Sequence, residues 1–367
     1  MLQRLYVNNF RCLENFELNL KDLPSALLIG KNGTGKSTIA AALMLLQRVG
    51  RGINKVGDLI QPKDFAQGRS NVPIRFELEV LLNNKLFKYV LALELPPKFR
   101  ELRIHEEQLT IADQPVYSRQ GAIVSLADSK KTSFPVDGHM VALHIIQDQT
   151  QDGPAQQFKT WLAQMMILAP IPSLMSAESS GKETLEPERD CSNFSDWFSS
   201  VLRQYPAAYS TMADLLKQIM PDFHSIKNTS FGKEAKSIVV KFSGNGGSIE
   251  LSFDDLSDGE KCFFLCAIVL AANEYYGPLF CFWDEPDNYL ALSEVGHFIM
   301  DLRRATSRHG QMLMTSHNSE AIRKFSEENI LVLDRKNHLE PTLLRPLAEL
   351  GVAGDLVSAL ILGDVEV

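Results

Sequence analysis

Residues 30 to 37 of the chain read Gly30-Lys31-Asn32-Gly33-Thr34-Gly35-Lys36-Ser37. This stretch fits the pattern GxxxxGK[ST] at every fixed position, and it lies between a short apolar run at 26–29 and a segment with helical periodicity at 36–48. A strand before and a helix after are the context that supports this pattern. Glycines let main-chain N–H groups approach phosphate oxygens, and the helix start adds its dipole. The stretch therefore predicts a phosphate-binding loop.

Two side chains of this loop have separate predicted roles. Lys36 is expected to reach the β- and γ-phosphates of a nucleotide and so to assist catalysis, and the Ser37 hydroxyl is expected to bind Mg²⁺. The other predicted nucleotide contacts are Asn32, Gly33, Thr34, Gly35 and Thr38.

A second motif consists of two acids that end an apolar run. Residues 280–283 are Phe, Cys, Phe and Trp, and Asp284 and Glu285 follow them directly. Four successive apolar residues indicate a strand buried on both faces, and ligand sites of α/β folds lie at the carboxyl ends of such strands. Asp284 is expected to hold Mg²⁺ through water, and Glu285 to orient and deprotonate the attacking water. Two acids can also simply cap a strand, an interpretation that the phosphate loop makes weaker.

A third motif, at 256–260, reads Leu-Ser-Asp-Gly-Glu and precedes a helical segment. Ser257, Gly259 and Glu260 at a helix start predict an anion site. The spacing of Ser257 and Glu260 also fits a capping box, which satisfies the first N–H groups of a helix. Both interpretations can hold together.

A histidine ends the next apolar run, at 312–316. A lone histidine is usually structural, but His317 follows the run that comes after the paired acids. We expect it to sense the γ-phosphate and to take part in catalysis.

Composition limits the class of protein. Of the 367 residues, 45% are apolar and 22% charged, and the net charge is −8, so the bulk charge gives no indication of nucleic-acid binding. The longest uncharged apolar run, residues 262–272, is too short for a membrane span, and the N-terminus lacks the features of a signal peptide. Five cysteines without a CxxC pair predict reduced thiols that pack in the core. A cytoplasmic protein with no membrane partner is expected.

The order of segments predicts three parts. Residues 1–150 would form a first lobe with the phosphate loop and an antiparallel β subdomain, in which Asn83-Asn84 joins two strands as a hairpin and residues 140–146 form a strand. Residues 151–235 would form a helical lobe or insertion, with a mobile polar loop at 176–193 and a helix at 194–220. Residues 236–367 would form a second lobe, where strand-like and helical segments alternate as in a parallel sheet. The sequence has no heptad stretch.

In this order the four motifs resemble those of the ABC ATPase superfamily, specifically its RecF/SMC/OLD branch. Residues 7–13, VNNFRCL, resemble the NFR-L start of that branch, which implies that Arg11 lies near the nucleotide base. Residues 284–290, DEPDNYL, resemble the OLD-type segment, although Ala291-Leu292 stands where that family usually has His-Pro. The resemblance implies an α/β P-loop NTPase of ABC-head type, with a mainly parallel core sheet, an antiparallel β subdomain and a helical lobe.

The same resemblance implies a homodimer with ATP and Mg²⁺ between two heads. Ser257 and Gly259 would then act on a nucleotide that Lys36 of the partner subunit holds. A glutamine that binds Mg²⁺ is also implied. Gln147 is the main candidate and Gln149 accompanies it, while an ordinary surface glutamine remains the alternative. Gln61 is a weaker candidate.

Three functions are compatible with these motifs. We expect an ATPase of a bacterial anti-phage or genome-maintenance system that controls a separate effector such as a nuclease, because the 34 residues after Leu333 are too few for a nuclease domain. The first alternative is a RecF-like ATP-gated DNA clamp without an effector, with Lys130-Lys131 and Arg303-Arg304 as phosphate contacts. The second, the nucleotide-binding domain of a membrane transporter, is disfavoured by the 226 residues that separate Gly30 from Leu256.

Overall fold

The computed structural model of this chain describes residues 1–127, 132–147, 153–231 and 235–350. Lys130-Lys131, Gln149 and the chain after residue 350 lie outside the described residues. The chain divides into two compact units, residues 1–165 with the chain from 326 onward, and residues 166–325. The predicted boundaries at 150 and 235 both fall inside these units, and the three-part division by role stays a prediction.

The first unit is built around an eight-stranded antiparallel sheet of order β2-β1-β4-β5-β6-β7-β8-β9. Apolar and polar residues alternate along these strands, so one face of each is buried. The predicted hairpin is confirmed: Asn83 and Asn84 join β4 to β5 with φ of 48° and 61°, left-handed angles that asparagine tolerates well. The strands are β1 (Leu2–Asn8), β2 (Phe16–Asn19), β4 (Ile74–Leu82), β5 (Lys85–Glu94), β6 (Arg103–Ile111), β7 (Gln114–Gln120), β8 (Ile123–Leu126) and β9 (Ser133–Pro135).

Three further strands of the first unit place the phosphate loop. β3 (Ser25–Ile29) is buried at every residue and pairs in parallel with β17 (Ile330–Asp334), which pairs antiparallel with β18 (Leu343–Pro346). α1 (Lys36–Gly50) starts directly after the loop, and a short helix, α2 (Val56–Leu59), follows. α1 packs closely on α3 (Pro154–Gln164), since a Cβ on Gly50 would lie 2.5 Å from the main-chain nitrogen of Ala163.

The second unit contains parallel strands and an antiparallel sheet. β10 (Met166–Leu168), β15 (Phe280–Trp283) and β16 (Gln311–Thr315) pair in parallel. In the antiparallel sheet, β13 (Ala235–Gly244) pairs with β12 (Phe223–Phe231), β11 (Glu178–Ser179) and β14 (Gly247–Ser252). The helices are α4 (Phe194–Gln204), α5 (Ala208–Ile219), α6 (Asp258–Tyr276), α7 (Leu292–Arg308) and α8 (Ser319–Ile322). α6 is apolar on nearly all sides and is the most buried of them.

Two predicted elements are wrong. The strand expected at 140–146 is a series of turns, because the N–H groups of Ala142 and Leu143 donate to the carboxylate of Glu107 at 2.7 and 2.9 Å and not to a neighbouring strand. The single helix expected at 194–220 is two helices, with Pro206 between them, because proline supplies no N–H for the helical ladder. None of the described helices is long and apolar enough to span a membrane.

Candidate nucleotide-binding and catalytic residues

The phosphate loop has the conformation that its glycines predict. Gly33 and Gly35 adopt φ of 83° and 110°, which L side chains rarely reach. Gly35 is the N-cap of α1, and it has no side chain to bond the first N–H groups of the helix. The first N–H groups of α1 therefore have no side-chain cap and face solvent.

Lys36 lies over the loop that it follows. Its ammonium donates to the carbonyl oxygens of Gly30 at 2.7 Å and Lys31 at 3.4 Å, and 8% of the residue is exposed. Ser37 is exposed, and its hydroxyl has no hydrogen-bond partner in the described part of the chain. An ordered cation beside a free hydroxyl suits a loop that receives phosphate and metal.

The loop is supported from strands near the C-terminal end of the first unit. A Cβ on Gly30 would lie 2.4 Å from the carbonyl oxygen of Leu333 in β17. A Cβ on Gly35 would lie 2.8 Å from Oγ1 of Thr342, and that buried hydroxyl donates to the carbonyl of Thr34 at 2.7 Å. The sequence around Thr342 carries no motif that points to this role, because the contact joins residues about three hundred positions apart.

Arg11 lies in a left-handed turn next to this support, with φ of 53°. Its Nε donates to Asp64 at 2.9 Å, and its guanidinium lies over the Phe10 ring. The next residue, Cys12, bonds Thr38 of α1 at 3.4 Å. Arg11 remains half exposed, so donors are free to meet a ligand, and its contact with a nucleotide base stays a prediction.

The glutamine candidates make few contacts. Gln147 is exposed and has no hydrogen bond within the described residues. The main-chain N–H of Gln61 donates to the carboxylate of Asp64 at 2.9 Å, which places Gln61 at the start of a short turn. A role in metal binding stays a prediction for Gln147.

The paired acids follow β15 in the second unit. The hydroxyl of Thr315, at the end of β16, donates to Asp284 at 2.6 Å and accepts from the main-chain N–H of Glu285 at 2.9 Å. This one hydroxyl fixes the positions of both acids. The parallel pairing of β15 and β16 brings it there, so both predicted runs do end at the same edge.

Glu285 has an uncommon main-chain conformation for a non-glycine residue, with φ of 50°. Its carboxylate accepts from Asn288 at 2.5 Å and lies 3.5 Å from Nε2 of His317. Both side chains are partly exposed. The structure thus joins two of the predicted catalytic residues, Glu285 and His317, at the surface of one unit.

Asp287 is the buried acid of this edge. It is 4% exposed, accepts from the Ser316 hydroxyl at 2.9 Å, and leaves Oδ1 without a partner among the described residues. Burial raises the pKa of Asp287, and the neighbouring Glu285 charge adds to the rise while Ser316 and His317 oppose it. Holding this carboxylate ionised therefore has a cost in stability.

The 256–260 motif forms the capping box that its spacing predicts. The Ser257 hydroxyl accepts from the N–H of Glu260 at 3.3 Å, and the Glu260 carboxylate accepts from the N–H of Ser257 at 2.8 Å. A Cβ on Gly259 would lie 3.0 Å from the carbonyl of Tyr289, in the segment after the paired acids. The helix start is thus rigid and exposed, and its contact with a nucleotide stays a prediction.

The polar segment at 176–193 contains ordered contacts. It includes β11, and the hydroxyls of Ser179 and Ser180 donate to Asp196 at 2.6 and 2.5 Å. From the same segment Arg189 extends to Asp284, with 3.6 Å between Nη2 and Oδ2. The sequence did not predict this pair, because nothing in the composition of the segment marks it as functional.

The five cysteines are free and buried, as predicted. Burial raises the pKa of the Cys262 thiol to about 12 and that of the Cys266 thiol well above its ordinary value. The described residues contain no group of three or more His, Cys, Asp or Glu that could hold a metal alone. Magnesium suits a different donor set, because it is usually bound by one or two carboxylates together with substrate phosphates. The carboxylate of Asp284 and the hydroxyl of Ser37 are each oxygen donors of the kind that magnesium takes, and their binding of one metal stays a prediction.

Comparison with known proteins identifies the family. Residues 25–323 match the profile described as "AAA domain, putative AbiEii toxin, Type IV TA system". The chain belongs to this AAA family. The match spans the phosphate loop, the 256–260 motif, the paired acids and His317, and it supports the predicted relationship to OLD- and SMC-like ABC-type ATPases.

Individual proteins also resemble this AAA family member in sequence or in fold. A stretch of 46 residues is 50% identical to the OLD nuclease of Thermus scotoductus, and it covers 12% of this chain and 8% of that protein. The fold is similar to an SMC head bound to the C-winged helix domain of ScpA, with a TM-score of 0.55, 14% identity and coverage of 95% and 99% of the two chains. An SMC head with an extended coiled coil, bound to the C-terminal domain of ScpA derived from Pyrococcus furiosus, gives a TM-score of 0.52, 12% identity and 99% coverage of both chains. The predicted fold class is confirmed.

Proposed function

We propose that this AAA family member binds and hydrolyses Mg·ATP as a dimer of ABC-type heads. The main support is the arrangement of side chains at the end of β15. The Thr315 hydroxyl bonds both Asp284 and Glu285, and His317 lies beside Glu285. A carboxylate held by a few neighbours and partly open to solvent can accept a proton from an attacking water.

In this proposal each of these residues has a separate role. The N–H groups of the phosphate loop and Lys36 bind the phosphates, and Asp284 and Ser37 hold the metal, which when bound neutralises phosphate charge. Glu285 orients a water and takes its proton. His317 donates to the γ-phosphate and keeps Glu285 oriented. Ser257 and Gly259 complete the site of the other head.

We further propose that the nucleotide state controls a nuclease effector on another polypeptide, in anti-phage defence or genome maintenance. The identity to a stretch of an OLD nuclease supports this. The five buried thiols suit a reducing compartment such as the cytoplasm. Of the two basic pairs of the clamp alternative, only Arg303-Arg304 lies within the described residues, and it gives little support to DNA binding: Arg303 lies over the Phe325 ring at 4.3 Å, and Arg304 lies 3.7 Å from Asp301.

Complementation tests the shared site. Lys36→Ala removes the phosphate cation, and Ser257→Arg blocks the helix start of α6, so each variant alone should lose ATP turnover. An equal mixture of the two should regain turnover, because a mixed dimer has one site with both residues intact. A mixture as inactive as its components would contradict action in trans, while full activity of either variant would contradict the residue assignment.

A further inference from the structure

Arg189 is a cation beside the paired acids that no motif explains. Its main chain is fixed: the N–H of Ala169 donates to the carbonyl of Arg189 at 2.7 Å, and Ala169 follows Leu168, whose carbonyl accepts from the N–H of Asp284 at 2.8 Å. Cys191, fully buried with φ of 60°, anchors the following turn. Arg189 therefore starts from a rigid position next to Asp284.

The guanidinium of Arg189 has fewer partners than its donors allow. Its Nε is buried without a hydrogen-bond partner among the described residues. Nη2 lies 3.6 Å from Oδ2 of Asp284, which is longer than a hydrogen bond. Guanidinium groups bind carboxylates and phosphates through paired N–H donors, and a buried donor without an acceptor costs free energy. Both observations indicate that an acceptor with several oxygens completes this environment.

The neighbouring acid restricts what that acceptor is. Asp284 already accepts a hydrogen bond from Thr315 at Oδ1, and a metal bound to this carboxylate would repel a guanidinium that stayed 3.6 Å from Oδ2. A phosphate group beside the metal removes this repulsion and supplies the missing oxygens.

We propose that Arg189 binds the terminal phosphate of the ATP whose metal Asp284 holds, and so distinguishes ATP from ADP. The inference rests on the proposed function, since it requires that Asp284 hold the metal of a bound nucleotide. Arg189 replaces its long contact with Asp284 by bonds to γ-phosphate oxygens. ADP lacks those oxygens, so Arg189 contributes nothing to ADP binding.

Calorimetric titration in the Glu285→Gln background tests this, because ATP then stays intact. With Mg²⁺ present, Arg189→Ala should raise the Kd for ATP about tenfold or more, as expected for loss of charged hydrogen bonds, and leave the Kd for ADP within about twofold. Arg189→Lys should fall between the two, since it retains charge without paired donors. Arg203→Ala is the matched control: this arginine of α4 pairs with Glu183 at the surface.

Three results would overturn the inference. An unchanged Kd for ATP would show that Arg189 does not contact the phosphate. A lower Kd would show that Arg189 competes with the metal for Asp284. An equal loss for ATP and ADP, with a lower melting temperature, would show a structural role. If the Glu285→Gln parent itself binds no ATP, the proposed function fails first, and the two failures are thus distinguishable.

Discussion

Two groups of carboxylates in this molecule differ in how completely they are hydrogen-bonded. Glu107 of the antiparallel sheet is fully buried and accepts from the hydroxyls of Tyr89 and Tyr117 and from two main-chain N–H groups. Asp284 and Glu285 have fewer donors and face solvent in part. Burial raises the pKa of Glu107, and the donors and Arg119 oppose that rise.

Glu107 has a structural role, whereas the acids after β15 are placed for chemistry. Glu107 accepts three hydrogen bonds at Oε1 and one at Oε2, and Oε2 also lies 3.6 Å from Nη1 of Arg119, so this fully buried residue holds the turn at 140–146 against the sheet and is not accessible to a ligand. The acids after β15 are positioned by Thr315 yet retain free oxygens. A charged group that is held in place but not saturated is the one that can bind metal or accept a proton.

The largest expected effect comes from the acid assigned as catalytic base. Glu285→Gln should lower kcat for ATP hydrolysis by about 10²–10⁴-fold, because the amide cannot accept the proton of the attacking water. Steady-state phosphate release measures this. Glu320→Gln, at an exposed acid that pairs with Arg323 in the same unit, should leave kcat unchanged. Turnover at the wild-type rate in Glu285→Gln would remove Glu285 from the mechanism.

Glu107, the buried carboxylate with four hydrogen bonds, should matter for the stability of the fold. Glu107→Gln places an amide N–H₂ group against donors, so we expect a loss of about 3–5 kcal/mol in the free energy of unfolding, as for one broken partner of a buried network. Its neighbour Glu106 lies on the opposite face of β6 and pairs with Arg75 at 2.6 Å, so Glu106→Gln should cost about 1 kcal/mol or less. Chemical denaturation compares the two, and equal losses would contradict the comparison.

A smaller effect is expected at the phosphate loop. Lys36→Ala should raise the Kd for Mg·ATP roughly 10- to 150-fold, the loss of one charged hydrogen bond to phosphate. Lys31→Ala, in the same loop with an exposed side chain, is the control and should bind as wild type does. Equal affinities for the two variants would place the nucleotide elsewhere.

The smallest effect concerns Asp287, whose pKa is raised by burial. Because the folded state keeps its proton to a higher pH than the unfolded state, stability from this group is lost as the pH rises above 3.8 and through the folded-state pKa. Asp287→Asn has no charge to bury. The melting temperature of the wild type should therefore fall relative to that of this variant over this pH range. A constant difference between the two proteins from pH 3.5 to 7 would show that Asp287 does not titrate in this way.

Short-range sequence patterns predicted much of the fold and of the candidate site. The phosphate loop, the strand before Asp284 and the capping box at Ser257 depend on residues within a few positions of each other, where glycine conformation and helix capping act directly. Thr342, Arg189 and Glu107 make their contacts with residues distant in sequence, and no periodicity marks them. The strand predicted at 140–146 was wrong for the same reason, since N–H groups of this segment donate to a carboxylate distant in sequence.

Light scattering of Glu285→Gln with Mg·ATP, combined with quantification of bound nucleotide, measures whether ATP holds two copies of this head together. We expect twice the monomer mass with one intact ATP for each chain, and monomer when ADP replaces ATP. A monomer that binds ATP stoichiometrically, or a dimer that forms without nucleotide, would contradict the claim that ATP is held between two copies of this head.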